Sequence, residues 1–355
     1  FILCVSTPIG PNHTADLSNL RAAAASVAES AGNGAMVIVR STVPVGTCRK
    51  VVLPVLRKSL PSVLLASCPE RTIQGRALEE LRALPQLVGG LDDVSTSTAI
   101  DLWQQVTNRV VLVSSLEAAE MVKLINNSHT DLLYSFGNEV ALMAQGLGLD
   151  PIELIGAANL EYPRPDLARP GFVGGPCISK DPYILIDSLK DTGYMPHLVA
   201  GARNLNESLP EKVAQHFIDR LRDCTGEVAA GSKVLVCGFA YKGWPVTDDL
   251  RDAPVLSILK YLAQYSLQIY GHDPLVTADA IMACGATPVE DVHAGFDGAK
   301  GALFINERPD YRALEIAKLA GAMSRPATVY DCWRMFDHQE VESVSGVSYS
   351  GIGYG

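Results

Sequence analysis

The chain of 355 residues is short of several things, and each shortage removes a class of protein. Its eight cysteines (Cys4, Cys48, Cys68, Cys177, Cys224, Cys237, Cys284 and Cys332) never fall into a CxxC pair. That spacing argues against a disulfide framework and a structural zinc site, so no metal is expected. No apolar run approaches the roughly 20 residues of a membrane helix, and no signal-peptide pattern is present. Reduced thiols, a cytoplasmic location and no membrane partner are the expectation. Positive charge is also scarce: 29 Lys and Arg stand against 39 Asp and Glu, a net charge of −10. Such a chain is a poor general binder of nucleic acid. A hydrophobic content of 48% with only 19% charged residues excludes disorder. At about 150 residues per domain, the length predicts two or three domains.

What is present is alternation. The chain opens on Phe1-Ile2-Leu3-Cys4-Val5, a strand-type run with neither an initiator Met nor a lead-in, as if in mid-domain. Residues 35–40, 63–66, 86–88 and 110–113 read as strands, and 17–30, 47–59 and 94–106 as helices, which is the pattern of βαβ units. From Glu117 to Leu147 apolar residues recur at helical spacing. A Pro/Gly-rich loop over 162–177 precedes a second helical run, about 182–207. After Pro210 the alternation returns: strands at 233–237, 267–270, 302–305 and 328–330, helices near 211–223, 254–265 and 311–322. The Gly/Ser/Tyr-rich tail, 346–355, is expected to be mobile. The predicted class is α/β: a partial Rossmann-like domain (1–115), a helical middle (116–208), a complete α/β domain (209–340) and a tail (341–355).

Several turns carry chemistry-bearing residues. The loop 170–181, PGFVGGPCISKD, has three glycines that permit close backbone approach. Cys177, Lys180 and Asp181 then bring together a nucleophile, a cation and a base, or else a buried Cys beside a surface ion pair. Glu120, Lys123 and Asn127 recur along the long helix, either facing a cleft or forming a solvated edge. Val5-Ser6-Thr7-Pro8 and Ser41-Thr42 follow strands, where doubly wound sheets bind ligands, although turn and cap chemistry would select the same residues. Glu70 follows another strand. Lys242 and Arg251 follow the first strand of the last domain, as phosphate contacts or as a surface charge cluster.

In order along the chain, VSTP, STVPVGT, PER, EMVKLINN, NE, PGFVGGPCISKDP, GFAYK and DDLR resemble the UDP-glucose/GDP-mannose dehydrogenase family, the nucleotide-sugar 6-dehydrogenases. The likeness runs from about Ile2 to Arg334. It implies a cytoplasmic, NAD-dependent oxidation of a sugar C6 alcohol to the acid in two hydride transfers, of the kind that serves polysaccharide biosynthesis. By resemblance, Cys177 is the nucleophile that forms a thiohemiacetal and then a thioester. Lys123 and Asn127 stabilise or orient the oxyanion, Asp181 assists proton transfer, Glu70 lies at the substrate, and Thr42 holds a water. Val5, Ser6, Thr7, Pro8, Ser41, Thr42, Lys180 and Arg251 match cofactor positions. Glu70, Lys123, Asn127, Arg164, Phe172, Gly174, Gly175 and Lys242 match substrate contacts, Arg164 reaching a neighbouring subunit. The expected partners are a UDP-sugar and a second copy of the chain, since the helix 117–147 matches the family's dimer interface.

Departures sharpen this picture. The family's strand–GxGxxG–helix unit is missing ahead of VSTP, so weak NAD binding is expected of the chain as it stands. Gln74 occupies the place of a second Glu found in relatives that oxidise UDP-glucose, which favours the branch acting on UDP-N-acetylhexosamines such as UDP-N-acetylmannosamine. Tyr330-Asp331-Cys332-Trp333-Arg334 replaces a commoner Asp-Gly-Arg. The alternatives are a UDP-glucose dehydrogenase, a β-hydroxyacid dehydrogenase, which would not need Cys177, and a non-catalytic nucleotide-sugar-binding or oligomerising chain.

Overall fold

Short runs of Val, Ile and Leu bounded by turn residues form strands here, and the amphipathic text between them forms the covering helices. A computed structural model describes residues 1–355. They fall into two units: Phe1–Thr130 with Lys180–Ala200, and Asp131–Ser179 with Gly201–Gly355.

In the first unit come β1 (Ile2–Leu3), α1 (Ser18–Ser30), β2 (Met36–Val39), a π-turn (Cys48–Val52) running into α2 (Leu53–Leu56), β3 (Leu64–Ser67), α3 (Ala77–Ala83), β4 (Gln86–Gly90), α4 (Asp93–Trp103) and β5 (Val110–Leu112). The sheet order is β1-β2-β3-β4-β5. All neighbours are parallel except β3 and β4. Side chains alternate between its faces: Val37, Val39 and Leu65 pack with α1 and α2, while Ile38, Ala66 and Val88 pack with Ala99 and Trp103 of α4. Then follow α5 (Leu116–Leu147), α6 (Pro151–Asn159), α7 (Asp181–Ser188) and α8 (His197–Thr225).

Sequence periodicity misplaces two boundaries here. The helical run expected over 182–207 is two helices, broken between Leu189 and Pro196 where Gly193 takes φ +76°. Pro210, expected to lie between the helical runs 182–207 and 211–223, is inside α8. An interior proline costs about 3 kcal/mol. The cost is offset because Leu209, Val213, Phe217 and Leu221 of the same helix are buried in one core cluster. The short α3 goes unpredicted because it buries none of its residues, and Leu78 is 81% exposed.

The second unit holds β6 (Lys233–Cys237), α9 (Pro254–Leu262), β7 (Gln268–His272), α10 (Ala278–Ala283), β8 (Thr287–Pro288), α11 (Val292–Phe296), β9 (Gly301–Phe304), α12 (Pro309–Arg312), α13 (Ile316–Gly321), β10 (Ala327–Asp331), α14 (His338–Glu342) and β11 (Val347–Ser350). Its sheet order is β11-β10-β9-β6-β7-β8. All its pairs are parallel. Counted from β6 this is the 3-2-1-4-5-6 doubly wound order, with its switch point between β6 and β9. Val234 and Val236 face one core and Leu235 and Cys237 the other, so both faces are covered. No helix is long and apolar enough to cross a membrane.

The C-terminal residues correct the expectation of a mobile tail. Val347–Ser350 pairs with β10 as the edge strand, and Gly351 bridges Tyr354. The Tyr349 hydroxyl donates to Asp331 Oδ2 (3.0 Å) and Phe336 O (3.2 Å) inside the core. Glycine and serine masked a strand whose inward-facing residues, Val347 and Tyr349, are buried. Tyr349→Phe is expected to lower the stability of this unit by about 1 kcal/mol, and Tyr349→Ala by about 3–5 kcal/mol, as for other large buried aromatics. Urea unfolding followed by tryptophan fluorescence checks this; an unchanged midpoint for Tyr349→Ala would mean that the strand contributes nothing.

Candidate functional site

In the first unit a row of polar side chains is assembled from α5 and the start of α7. Asp181 is the first residue of α7 and has no solvent exposure. Its Oδ2 accepts from Asn127 Nδ2 at 2.6 Å and its Oδ1 from Lys180 Nζ at 2.7 Å. Asn127 thereby turns its own Oδ1 toward Lys123 Nζ, 3.5 Å away. The order is Lys123, Asn127, Asp181, Lys180. Lys123 and Asn127 stand one turn apart on α5, and both Lys123 and Asp181 are buried. The face of α5 that looked equally suited to solvent therefore points inward.

Glu120, one turn before Lys123, fastens the turn after β2 to α5. It is buried and accepts from Gly46 N–H (2.5 Å) and Cys48 N–H (2.7 Å). Burial raises its carboxyl above the ordinary value, partly opposed by those two donors. Gly46 takes φ +91°, a conformation that favours glycine. The turns after β1 and β2 are joined side by side: Val5 N–H donates to Ser41 Oγ (2.9 Å), Ser41 Oγ to Val5 O (2.7 Å), and Thr7 Oγ1 to Thr42 O (2.6 Å). Ser6 Oγ accepts from Asn19 Nδ2 at 3.1 Å. The hydroxyls of Ser41 and Thr7 are thus used within the edge. Ser6 and Pro8 are exposed and Thr42 is half-buried at the carboxyl ends of two adjacent parallel strands. That edge suits a dinucleotide lying across it.

Glu70, whose side chain is 42% exposed, is nonetheless not a lone carboxylate. Arg40, the last residue of an otherwise apolar strand run, pairs with it through Nη2 and Nε. The Arg40 side chain is itself buried, bonded to Gln86 Oε1 (3.2 Å) and placed 4.5 Å from the Trp103 ring centroid. Arg40 went unrecognised as part of the site; the available signal was a charge closing a buried strand, which has to find a partner. Burial acts to raise Glu70, but hydrogen bonds from Arg40 and from the Thr72 and Arg71 N–H groups outweigh it and hold the carboxyl below its usual value.

In the second unit Cys177 sits on an exposed turn whose supporting glycines are enclosed. A Cβ at Gly171 would lie 2.3 Å from the Trp333 ring, at Gly174 2.7 Å from Asp252 O, and at Gly175 2.5 Å from the Tyr241 ring. Gly175 also takes φ +87°. Its N–H donates to Asp252 O (3.2 Å), and Ser179 Oγ donates to Gly175 O (2.6 Å) and Asp252 Oδ2 (2.9 Å). Burial, with the Cys177 charge next, pushes the Tyr241 hydroxyl up to about 12. The Phe172 side chain is packed into the core. A ligand can therefore meet that residue only through its backbone. Lys242 Nζ lies 5.4 Å from the Tyr241 ring centroid. Arg251 is exposed and paired with Asp249 (2.6 Å), and Arg164 is exposed 5.1 Å from the Tyr162 ring centroid. Arg334, which closes the segment that stands in place of Asp-Gly-Arg, binds Asp150 with both terminal nitrogens (3.3 and 3.0 Å) and stacks on Tyr354 (3.8 Å). At the switch point Gly238, φ +94°, abuts Asn306, whose buried Oδ1 has no hydrogen-bond partner.

A mostly parallel sheet with an open carboxyl edge, a second sheet that is doubly wound, a buried Lys/Asn/Asp row and a cysteine on a glycine turn define a nucleotide-dependent oxidoreductase. The chain matches the NAD binding, central and UDP binding domains of one family over residues 1–107, 117–208 and 235–338. It is 30% identical over 362 residues to the UDP-N-acetyl-D-mannosamine dehydrogenase of Pyrococcus horikoshii, covering 100% of this chain and 81% of that one. It is 32% identical over 280 residues to the Escherichia coli enzyme of the same name, covering 75% and 65%. Among solved structures it resembles the P. horikoshii UDP-D-ManNAc dehydrogenase (TM-score 0.85, 28% identity, 99% and 80% covered). It also resembles a UDP-glucose dehydrogenase from Pyrobaculum islandicum (TM-score 0.83, 28% identity, 100% and 79% covered). The chain belongs to the UDP-glucose/GDP-mannose dehydrogenase family, as an NAD-dependent nucleotide-sugar dehydrogenase.

Because the Glu70 carboxyl is held low, its contribution to stability is present above the ordinary glutamate value, about 4.3. It is lost as pH falls through that value toward the lower folded one. Glu70→Gln is expected to be less stable than the parent at pH 7, with the gap closing below about pH 4. Urea midpoints across that range test it; a gap independent of pH would show that the Arg40 pair is not the cause.

Proposed function

We propose that this chain oxidises the C6 alcohol of a UDP-N-acetylhexosamine, UDP-N-acetylmannosamine, to the uronic acid. The observation that carries the reading is the exposed Cys177 on its enclosed glycine turn, a requirement of alcohol-to-acid chemistry and not of simple alcohol-to-ketone oxidation. Two named relatives act on that sugar nucleotide by name, and Gln74 stands where UDP-glucose relatives carry a second Glu. UDP-glucose is the second reading, favoured by the likeness to the P. islandicum enzyme.

Val5–Pro8, Ser41, Thr42, Lys180 and Arg251 are the residues proposed to hold NAD, which when bound supplies the hydride acceptor for both oxidations. Glu70, Arg164, Lys242 and the backbone of Phe172–Gly175 are proposed to hold the UDP-sugar. Lys123 and Asn127 stabilise negative charge on the reacting oxygen. After the first two-electron oxidation, the Cys177 thiolate adds to the aldehyde carbon and the carbonyl oxygen takes a proton, giving a thiohemiacetal. The second oxidation leaves a thioester. Water, placed with the help of Thr42 and relieved of its proton by Asp181, adds to the acyl carbon, and the C–S bond breaks to release the acid and the thiolate.

Assembly as a dimer through α5 is part of the same proposal. Within the second unit, Leu133 (43% exposed), Phe136 (47%), Met143 (53%) and Leu147 (73%) form an outward apolar stripe at i, i+3, i+10 and i+14. That is the spacing of a helix–helix seam. Phe136→Glu is expected to lower the assembly to monomers at micromolar concentration; light scattering that shows the parent already monomeric would remove this part.

For the chemistry, Cys177→Ala is expected to give at most aldehyde and no acid. Cys177→Ser is expected to stall as a covalent ester visible by intact mass, because an alkoxide leaves less readily than a thiolate. Acid formation by Cys177→Ala near the parent rate would overturn the thioester route. NADH release across a panel of UDP- and GDP-sugars tests the substrate: release with UDP-glucose and none with UDP-N-acetylmannosamine would move the assignment to the second reading.

A further inference from the structure

Behind the cysteine turn, in the second unit, runs a buried polar chain to which none of the roles above is assigned. The Asn138 side-chain amide pairs with the Gly171 peptide as a strand would: Gly171 N–H donates to Asn138 Oδ1 (2.8 Å) and Asn138 Nδ2 donates to Gly171 O (2.9 Å). The second Asn138 N–H goes to Asn206 Oδ1 (2.9 Å). Asn206 Nδ2 donates to Asp131 O (2.9 Å) and Oδ1 (2.7 Å). Asp131 Oδ1 accepts from Arg203 Nη1 (2.9 Å), which also donates to Ile178 O (3.1 Å). Asn138, Asp131, Arg203 and Asn206 are at most 2% exposed.

We propose that Asn138, Asn206, Asp131 and Arg203 form a positioning relay that fixes both ends of the segment carrying Cys177, and so set the reactivity of its thiol. Each link is directional. Asn138 can serve Gly171 and Asn206 together only because its amide has one acceptor and two donors; a carboxylate or an apolar side chain cannot. The relay ends at Gly171, whose neighbour Phe172 is locked in the core, and at Ile178, the residue after Cys177. Between those ends the segment has a left-handed glycine, bonded from Gly175 N–H to Asp252 O (3.2 Å), and the exposed thiol, so the two anchored peptides set where the segment enters and leaves. An economy of stability would not retain this arrangement. Asp131 Oδ2 and Arg203 Nε are buried without a hydrogen-bond partner, and Glu207 approaches Arg203 only to 3.7 Å. A buried ion pair left partly unsatisfied is weak evidence of a stabilising role, while placement of a neighbouring group accounts for its geometry.

The proposal rests on Cys177 being the nucleophile, and its test needs neither sugar nor cofactor. The full chain is alkylated with limiting iodoacetamide, and labelling at Cys177 is divided by labelling at Cys4, an exposed thiol in the other unit. Asn138→Ala and Arg203→Met are expected to shift that ratio at least fivefold and to speed deuterium uptake in peptides spanning 171–179. Arg203→Lys, which still offers donors to Asp131 and Ile178, is expected to restore the parent ratio. If Asn138→Ala does not fold, Asn138→Ser, which can meet the Gly171 peptide but not also Asn206, is expected to give a smaller shift in both readouts. Tyr330→Phe, which removes a buried hydroxyl bonded to His216 (3.0 Å) in the same unit, controls for general destabilisation and is expected to leave the ratio unchanged. Folded Asn138 and Arg203 variants with the parent ratio and uptake would overturn the relay, as would a Tyr330→Phe shift of the same size. A chain that oxidises no UDP-sugar but still shows the shift would sink the substrate reading and leave the relay standing.

Discussion

A carboxylate with no access to water has to be met by donors, and the burial of Asp181 organises the first unit's site. Its two oxygens take Asn127 Nδ2 and Lys180 Nζ. That choice fixes the orientation of the Asn127 amide, which has to present its oxygen on the other side, toward Lys123. One buried charge thus sets the polarity of a four-residue row. Lys123 is placed by the same helix that holds Glu120, and Glu120 in turn holds the turn after β2 through two backbone N–H groups. The strand edge that carries Ser41 and Thr42 is therefore tied to the α5 turn that carries Lys123, through hydrogen bonds and not through sequence proximity. Unmet, such a group would cost several kcal/mol; met, it acts as a template for the residues around it.

Most of this architecture was legible where a single physical signal dominates. The strands 233–237 and 36–39 are near-continuous apolar runs, as strands covered on both faces must be, and α5 shows helical periodicity throughout. The errors have particular causes. Pro210 reads as a break between two helical runs because local propensity opposes a helix there, whereas Leu209, Val213 and Phe217 supply tertiary burial that propensity does not include. The segment 347–350 reads as a tail because its glycine-rich neighbours hide two inward residues. Among the proposed site residues, Lys123, Asn127 and Asp181 were singled out by spacing together with the family likeness, and the structure joins them by hydrogen bonds. Arg40 was not singled out: a charge closing a buried strand has to find a partner, but the sequence does not say which residue that partner is. Asn138 was visible only as one letter of a motif, because its function is a pairing with a residue 33 positions away.

Exposure separates the cysteines in a way that composition does not. Cys48, Cys237 and Cys332 are buried, and their thiols are pushed well up by loss of water, with Cys68 raised to about 11. Thiols held that way stay protonated and act as small apolar side chains. Cys4 is exposed at the sheet edge but is also raised, by partial burial first and the nearby Glu70 charge last, against the pull of Arg40. Cys177 alone combines an exposed side chain with a turn whose glycines are each closed off by a different neighbour: Trp333, the Asp252 carbonyl and Tyr241.

Those three closures leave no room for a larger residue at any of the three glycines. A Cβ at Gly171 meets a ring, one at Gly174 meets a backbone carbonyl that cannot yield, and one at Gly175 meets both a ring and a left-handed backbone. The backbone is packed like a core while the sulfur remains outside it. A nucleophile that forms a covalent bond and is later released from an acyl group needs that division. In the proposed thioester route the sulfur is open to a carbonyl carbon on entry, and the acyl carbon to water during hydrolysis, while the backbone stays in place. In that proposed route, mobility in the turn would misplace the sulfur, and an angstrom of misplacement can cost about a hundredfold in rate. The enclosed glycines restrain the turn from outside, and the Asn138–Arg203 relay restrains its two ends from within.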